Sequence, residues 1–194
     1  MIDNEWFAAG FAASPYMAIL RGLGADTTLE LAAQAWSAGV ELVEVPVQRP
    51  EDLEALSALL ERGRAEGHPV GAGTVRTPEQ LDAVASAGAD FVVTPGFSPA
   101  IIRAAAERGI PALPGVATAS EVDAGLQLGL TWLKAFPASV LGSAWITQMH
   151  GPFPEARFVA TGGMSLSNAP DFLEAGARGV AIGSAVRDLA SHSR

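Results

Sequence analysis

A single lysine inside an apolar stretch of the sequence is the first candidate for chemistry. Lys134 is the only lysine among the 194 residues, and it lies between Leu133 and Ala135 in the segment TWLKAF. Burial in such surroundings penalises the ammonium form, so the pKa of Lys134 should fall and leave some neutral amine that can attack a ketone carbonyl. The alternative is a lysine that reaches solvent from a strand end or pairs with Glu44.

A glutamate interrupts a second apolar run, and we expect it at the end of the second strand. Glu44 lies in the segment ELVEVPVQ, and strand alternation places residues 44, 46 and 48 on one side, so Glu44 and Gln48 should share a face. A carboxylate beside an amine could shuttle protons through carbinolamine formation, dehydration and carbon–carbon cleavage. The alternative is a structural partner that only neutralises Lys134. Pro46 weakens the alternation argument, because proline inside a strand often marks a bulge.

Groups that could bind an anionic substrate follow other predicted strands. Thr161, Gly162 and Gly163 come after one strand, and Gly183 and Ser184 come after the next. Backbone N–H groups of paired glycine loops at these places commonly bind phosphate in barrels, although a Gly-Gly turn alone is usually only loop geometry.

The end of the first predicted strand carries a further candidate. Arg21 could hold a substrate carboxylate through two hydrogen bonds, helped by the hydroxyl of Thr74. Its alternative is a salt bridge at the rim of the fold.

Composition excludes several classes of partner. The formal net charge of -9 argues against nucleic acids and anionic membranes, which are bound by clustered Lys and Arg. Because the sequence has no cysteine, disulfides and thiolate chemistry are excluded. The histidines at positions 68, 150 and 192 show no ligand spacing, so we expect no metal.

The sequence also predicts where the protein is located. Its start lacks the cationic stretch of a secretory signal. No apolar run reaches the ~20 residues that a membrane helix needs. We therefore expect a cytoplasmic protein.

The elements that must position these residues form a repeated pattern. Short apolar runs alternate with longer segments rich in Ala, Leu and Glu, which is typical of parallel βα units. We predict strands over residues 17–20, 41–47, 70–73, 91–94, 112–114, 131–136, 158–161 and 179–182. We predict helices over residues 28–38, 52–64, 78–87, 99–108 and 120–128.

Glycines close the predicted helices at regular intervals and indicate the fold. Five of them each stand a few residues before an apolar strand, where a positive φ would allow a short connection: Gly39, Gly88, Gly109, Gly129 and Gly176. This rhythm favours one small (β/α)8 barrel of the α/β class over residues 1–194, with its active site at the carboxyl ends of the strands. We also expect an extra N-terminal helix that covers the barrel bottom and a shortened C-terminal helix.

Taken together, the motifs resemble the bacterial family of 2-keto-3-deoxy-6-phosphogluconate (KDPG) and 4-hydroxy-2-oxoglutarate (KHG) aldolases, which includes a phosphogalactonate branch. The resemblance covers nearly the whole chain, and its order and spacing are specific. The segments that carry it are AILRG at 18–22, VEVP at 43–46, GAGTV at 71–75, VTPG at 93–96, PGV at 114–116, LKAFPAS at 133–139, GPFP at 151–154, TGG at 161–163 and IGSA at 182–185.

The resemblance implies a role for each candidate residue. Lys134 would form the Schiff base and Glu44 would be the general acid and base. The substrate would be a phosphorylated 2-keto-3-deoxy sugar acid, cleaved to pyruvate and glyceraldehyde 3-phosphate without metal or organic cofactor. The other residues would bind substrate: Arg21 and Thr74 as carboxylate contacts, Gln48 at a position that affects substrate preference, Pro95 as a shaping contact, and Thr161, Gly162, Gly163, Gly183 and Ser184 as the phosphate cradle. The resemblance also implies a homotrimer.

Two departures from the family pattern leave alternatives open. Gluconate-type members often have arginine where this sequence has Gln48, and Arg49 should point to the opposite face; this favours the phosphogalactonate branch. The short segment after Ser184 could weaken phosphate binding. The alternative functions are an aldolase for unphosphorylated 4-hydroxy-2-oxoglutarate, an oxaloacetate decarboxylase, a non-catalytic phosphometabolite-binding barrel, and an isomerase in which Lys134 acts only electrostatically.

Overall fold

A computed structural model of the protein describes residues 4–191, with the side chains described up to residue 188. Within this range the chain alternates between strands and helices. The strands are β1 (Tyr16–Ile19), β2 (Leu42–Pro46), β3 (Val70–Gly73), β4 (Phe91–Val93), β5 (Ala112–Leu113), β6 (Gly115–Val116), β7 (Trp132–Ala135), β8 (Arg157–Thr161) and β9 (Gly179–Ile182). The helices are α1 (Glu5–Gly10), α2 (Ala25–Ser37), α3 (Pro50–Glu66), α4 (Pro78–Ala87), α5 (Pro99–Glu107), α6 (Ala119–Gln127), α7 (Ala138–Leu141), α8 (Ser143–His150), α9 (Ala169–Glu174) and α10 (Val186–Ser191).

The strands form one parallel sheet that closes into a barrel. The order is β5-β4-β3-β2-β1-β9-β8-β7-β6, so the two ends of the sheet are consecutive in the chain. The N–H of Thr94 donates to the carbonyl of Leu113 at 3.2 Å, and the N–H of Lys134 donates to the carbonyl of Pro114 at 2.9 Å. Because proline has no N–H, Pro114 interrupts the ladder. The segments β5 and β6 are therefore one interrupted strand, and the barrel has eight strand positions.

An aromatic plug fills the bottom of the barrel below the functional end. Phe7 of α1 meets the ring of Phe91 at 5.7 Å and the ring of Trp132 at 6.1 Å. Phe11 stacks on Trp132 at 5.4 Å, in space that Gly179 leaves by having no side chain. Burying such rings stabilises a fold by about 1.5–3 kcal/mol each. The predicted N-terminal helix is confirmed, and the rings of Phe7 and Phe11 are buried against the lower end of the barrel.

Side-chain alternation separates two cores and decides which residues face the barrel interior. In β2, Val43 and Val45 pack outward into the layer between sheet and helices, whereas Leu42 packs inward. In β7, Leu133 belongs to the outer layer and Trp132 to the inner one. Because the period of a strand is two residues, Glu44 and Lys134 share the inward phase, one level above the apolar plug.

The predicted fold is confirmed, with local differences. The strand predicted at 112–114 is divided at Pro114, and α2 begins three residues before its predicted start. The helices α7 and α8 were not predicted, because they are short and follow no long periodic pattern; α9 was indicated only by Gly176, the glycine that follows its end. Pro46 causes no bulge: it pairs in register with Gly73. All five glycines predicted to close helices have positive φ.

The final helix was predicted to be shortened. Of the last unit, α10 is described to Ser191, and residues 192–194 lie outside the described part, so the length of this helix stays a prediction. Along residues 4–191, no helix combines the length and apolar character that a membrane span requires.

Candidate active site

A cavity of about 520 Å³ opens at the carboxyl ends of the strands. Ten of the eleven predicted site residues line it: Arg21, Gln48, Thr74, Pro95, Lys134, Thr161, Gly162, Gly163, Gly183 and Ser184. Five further residues complete the wall: Ile19, Arg76, Phe136, Met164 and Ala181. The strand ends bring these groups together from distant parts of the sequence, as expected for a parallel barrel.

Lys134 lies at the base of this cavity. Its side chain is only 5% exposed, so it does not reach solvent, and its Nζ lies 4.9 Å from the ring centroid of Phe136. Burial lowers the pKa of Lys134 below that of an ordinary lysine; the Glu44 carboxylate opposes this shift, and Arg21 adds to it. A lowered pKa increases the fraction of neutral amine, which is the nucleophilic form.

Glu44 is the one predicted site residue that does not line the cavity. We expected it at a strand end, but it is the central residue of β2, and it is only 1% exposed. Its two carboxylate oxygens have no hydrogen-bond partner among the described residues. Burial raises the pKa of Glu44, and the charges of Lys134 and Arg21 partly offset that rise. The alternative of a direct hydrogen-bonded pair with Lys134 is therefore not what the structure contains.

Glu44 and Lys134 face each other across the barrel. Their strands, β2 and β7, occupy the second and sixth of eight positions, which are opposite walls. The environment raises the pKa of the carboxyl group and lowers that of the amine, so both shifts favour neutral forms. Pairs of buried groups with such opposed shifts can exchange protons with a substrate placed between them.

The wall formed by the first two strands carries a linked pair of polar side chains. Arg21 donates from Nη1 to Gln48 Oε1 at 2.5 Å. Arg49 is not part of the cavity wall, because its guanidinium contacts Glu51 and Asp52 instead. Burial alone would raise the pKa of Asp52, but the hydrogen bonds from Arg49 and from the N–H groups of Gln48 and Arg49 lower it on balance. Asp52 thereby fixes the backbone that presents Gln48 to the cavity.

Thr74 has an unusual backbone conformation. Within the described residues it is the one non-glycine residue with positive φ, at 61°. Such a conformation is disfavoured for a β-branched residue, so it is held by the surrounding structure and turns the chain over the cavity.

The two glycine loops lie side by side after β8 and β9. Gly162 and Gly163 have φ values of 94° and 71°, which favour glycine. The carbonyl of Gly162 accepts from the N–H of Ser139 at 3.0 Å, and the carbonyl of Gly163 accepts from Asn168 Nδ2 at 3.0 Å. Because Ser139 and Asn168 hydrogen-bond these two carbonyls, the backbone orientation of this loop is fixed.

Two cavity residues were not predicted as site residues. Phe136 covers Lys134 and was visible in the sequence as part of the same strand run. Arg76 lies three residues after Gly73, beyond the strand end. Its nearness to Thr74 in the sequence was the only indication that it lines the cavity.

The histidines show no metal site in the described part. His68 Nδ1 lies 3.0 Å from Glu41, and His150 Nε2 lies 3.1 Å from the carbonyl of Ala156. His192 lies outside the described residues. Across residues 4–191, no group of three His, Cys, Asp or Glu side chains is arranged to hold a metal ion.

Comparison with known proteins gives a consistent result. A model of the KDPG and KHG aldolase family matches residues 10–192. The 2-dehydro-3-deoxy-6-phosphogalactonate aldolase of Escherichia coli (strain K12) is 34% identical over 171 residues, which cover 88% of this chain and 83% of that protein. The 2-dehydro-3-deoxy-phosphogluconate aldolase of Treponema pallidum (strain Nichols) is 35% identical over 149 residues, which cover 76% of this chain and 70% of that protein.

A solved structure with the same fold holds a reaction intermediate. KDPG aldolase from Legionella pneumophila, crystallised with pyruvate captured at low pH as a covalent carbinolamine, superposes with a TM-score of 0.85 at 30% identity. The match covers 95% of this chain and 96% of that chain.

Proposed function

The chain belongs to the KDPG and KHG aldolase family, and we propose that Lys134 and Glu44 are its catalytic pair. The protein is a class I aldolase, a carbon–carbon lyase. Its proposed substrate is a 2-keto-3-deoxy-6-phospho sugar acid of the gluconate or galactonate type, cleaved to pyruvate and glyceraldehyde 3-phosphate. The observation that carries this proposal is the chain's only lysine, buried at the base of the cavity and facing a buried carboxylate.

The first half of the reaction forms the covalent intermediate. The neutral amine of Lys134 attacks C2 of the keto acid and gives a carbinolamine. Glu44, whose protonated form is favoured by burial, donates a proton to the departing hydroxyl, and water leaves to give an iminium. The product of this half is a cationic Schiff base beside a glutamate carboxylate.

The second half breaks the carbon–carbon bond. The Glu44 carboxylate removes the proton from the C4 hydroxyl, the C3–C4 bond breaks, and its electron pair moves to the iminium nitrogen. The aldehyde leaves, and the resulting enamine takes the proton back from Glu44 at C3. Water then hydrolyses the iminium, which releases pyruvate and restores the amine of Lys134.

The remaining predicted residues position the substrate. Arg21, held by Gln48, and the hydroxyl of Thr74 bind the C1 carboxylate, while Pro95 shapes the wall beside them. The backbone N–H groups of Gly162, Gly163, Gly183 and Ser184, with Thr161 beneath them, receive the phosphate. Fixed backbone at Gly162 and Gly163 supports this role, because the donors need no rearrangement on binding.

Borohydride trapping tests the catalytic lysine directly. Wild type and Lys134→Ala are incubated with pyruvate and borohydride and analysed by intact mass. The wild type should gain one reduced pyruvyl group, and digestion should locate it on the chain's only side-chain amine. Lys134→Ala should gain none. If wild type also fails to trap pyruvate, the Schiff-base mechanism is wrong for this chain.

Assembly and location extend the same proposal. On the family resemblance we propose a homotrimer, for which light scattering should give three times the chain mass of 19.9 kDa. A monomer in solution would contradict the trimer and leave the proposed chemistry unchanged.

We also place the protein in the cytoplasm, because a phosphorylated keto acid carries charges that prevent its passage through a bilayer.

A further inference from the structure

Arg76 is a cation of the active-site cavity that the proposed mechanism does not use. It lines the cavity together with Thr74, and it is exposed. Between residues 4 and 191, its guanidinium has no ion-pair or hydrogen-bond partner, whereas Arg21 is already engaged by Gln48. A guanidinium carries five N–H donors in a planar fork that matches a carboxylate. All N–H donors of the Arg76 guanidinium are therefore available to an anionic group of the substrate.

The backbone of Arg76 is held firmly even though its side chain is unpaired. Its N–H donates to Gln80 Oε1 at 2.8 Å, in the first turn of α4. The same amide donates from Nε2 to the carbonyl of Val47 at 3.3 Å, next to Gln48. Gln80 thus joins the loop after β2 to the loop after β3. This arrangement fixes the backbone of Arg76 beside the cavity wall.

The position of Arg76 around the barrel decides which end of the substrate it faces. Its strand, β3, occupies the third of eight positions, and β8, which carries Gly162 and Gly163, occupies the seventh. These positions are on opposite walls. With C2 bonded to Lys134 and the phosphate at Gly162 and Gly163, the C1 carboxylate must extend toward the wall of Thr74 and Arg76.

We infer that Arg76 is a specificity-determining residue that binds the C1 carboxylate of the keto acid. This inference rests on the proposed function, since it requires the Schiff base at Lys134. The site therefore presents two guanidinium groups, from Arg21 and Arg76, on either side of Gln48. It selects 2-keto acids over neutral ketones and aldehydes of the same size.

Pyruvate is the probe that isolates the carboxylate end, because it has no phosphate. The rate of borohydride trapping is measured against pyruvate concentration for wild type, Arg76→Gln and Arg76→Lys. Arg76→Gln should raise the half-saturating pyruvate concentration about 10- to 100-fold, as expected for a lost charged hydrogen bond. The trapping rate at saturation should not change. Arg76→Lys should recover part of the loss.

Arg103→Gln is the matched control, because it removes the same charge from the exposed face of α5. It should leave the half-saturating pyruvate concentration unchanged. Inhibition of aldol cleavage by inorganic phosphate gives the second readout, and Arg76→Gln should leave it unchanged too. Weakened phosphate inhibition with normal pyruvate saturation would overturn the inference, as would normal behaviour in both measurements. A wild type that fails to trap pyruvate would instead contradict the proposed function, so the two failures are distinguishable.

Discussion

The carboxylate of Glu44 lies against the Cα of Gly73, in the space that any side chain at residue 73 would occupy. A Cβ built on Gly73 would overlap Glu44 Oε1. The two residues are on neighbouring strands, β2 and β3, where Pro46 pairs with Gly73. Because Gly73 is not among the residues with positive φ, glycine is required here for space and not for backbone conformation. The glycine therefore sets the position of the proposed acid and base.

Gly73→Ala should lower the rate of aldol cleavage by about 100-fold. The new methyl group displaces the Glu44 carboxylate, and a shift of about 1 Å in a reacting group costs that much. The measurement is kcat for cleavage of the phosphorylated keto acid. Gly96→Ala is the control, because a Cβ there meets no other atom, and its rate should match wild type.

A second pair of variants separates this effect from general damage to the barrel. In a Glu44→Ala background the space beside residue 73 is empty, so adding Gly73→Ala should cause no further loss of rate. An equal loss in both backgrounds would show that the methyl group acts through the fold and not through Glu44.

The barrel could be predicted because the sequence patterns that indicate it are local and repeated along the chain. Apolar runs of a few residues, separated by helices with glycine at their ends, gave all eight strand positions and the wall on which each candidate residue lies. The division of β5 from β6 was less evident, since Pro114 ends one hydrogen-bonded pair while the chain continues in the same direction. The helices α7 and α8 were missed because they have eight residues or fewer, too few for a periodic pattern.

The sequence predicted which residues form the candidate site, but not how far inside the barrel each of them lies. The apolar neighbours of Lys134 indicated that it is buried, yet the sequence did not show that Glu44 would lie within the barrel instead of on the cavity wall. Gly73 on the next strand leaves the space that the Glu44 carboxylate occupies, which is a relationship between two strands. Arg76 was missed for a similar reason. Its place on the wall depends on the turn at Thr74 and on Gln80, neither of which is a property of Arg76 itself.

Gly163→Ala should weaken phosphate recognition and spare the Schiff base. Gly163 has a φ of 71°, and a Cβ there would overlap Ser139 Oγ, so alanine must shift the loop. We expect inorganic phosphate to inhibit cleavage about tenfold less strongly, because one backbone donor is misplaced. Trapping of pyruvate should be normal. Gly39→Ala is the control: it has a similar φ of 80° and open space, far from the cavity, and phosphate inhibition should not change.

Thr74→Asn should make the protein more stable and bind pyruvate more weakly. Asparagine tolerates positive φ better than a β-branched residue does, so the free energy of unfolding should rise by about 1 kcal/mol. The same change removes the hydroxyl proposed to contact the carboxylate, so the half-saturating pyruvate concentration in the trapping assay should rise. Urea denaturation measures the first effect. Unchanged stability would mean that Thr74 is not strained.

The cost of burying Lys134 should appear as a dependence of stability on pH. Glu44→Gln is compared with Glu44→Gln plus Lys134→Met, so that Lys134 is the one interior group whose titration differs between the two proteins. Burial lowers the pKa of Lys134 in the folded state below its ordinary value of 10.5, so between those two pKa values the unfolded state binds more protons. The lysine protein therefore gains stability as pH rises through this window, by about 1.4 kcal/mol for each pH unit that separates the folded and unfolded pKa values. The methionine variant should be more stable near neutral pH, and its advantage should shrink as the pH approaches 10.5. Denaturant unfolding from neutral to alkaline pH measures this difference directly, since the titrations of all other groups are common to both proteins. If the difference in the free energy of unfolding stays constant with pH, Lys134 keeps an ordinary pKa. Burial would then not explain how its neutral amine forms.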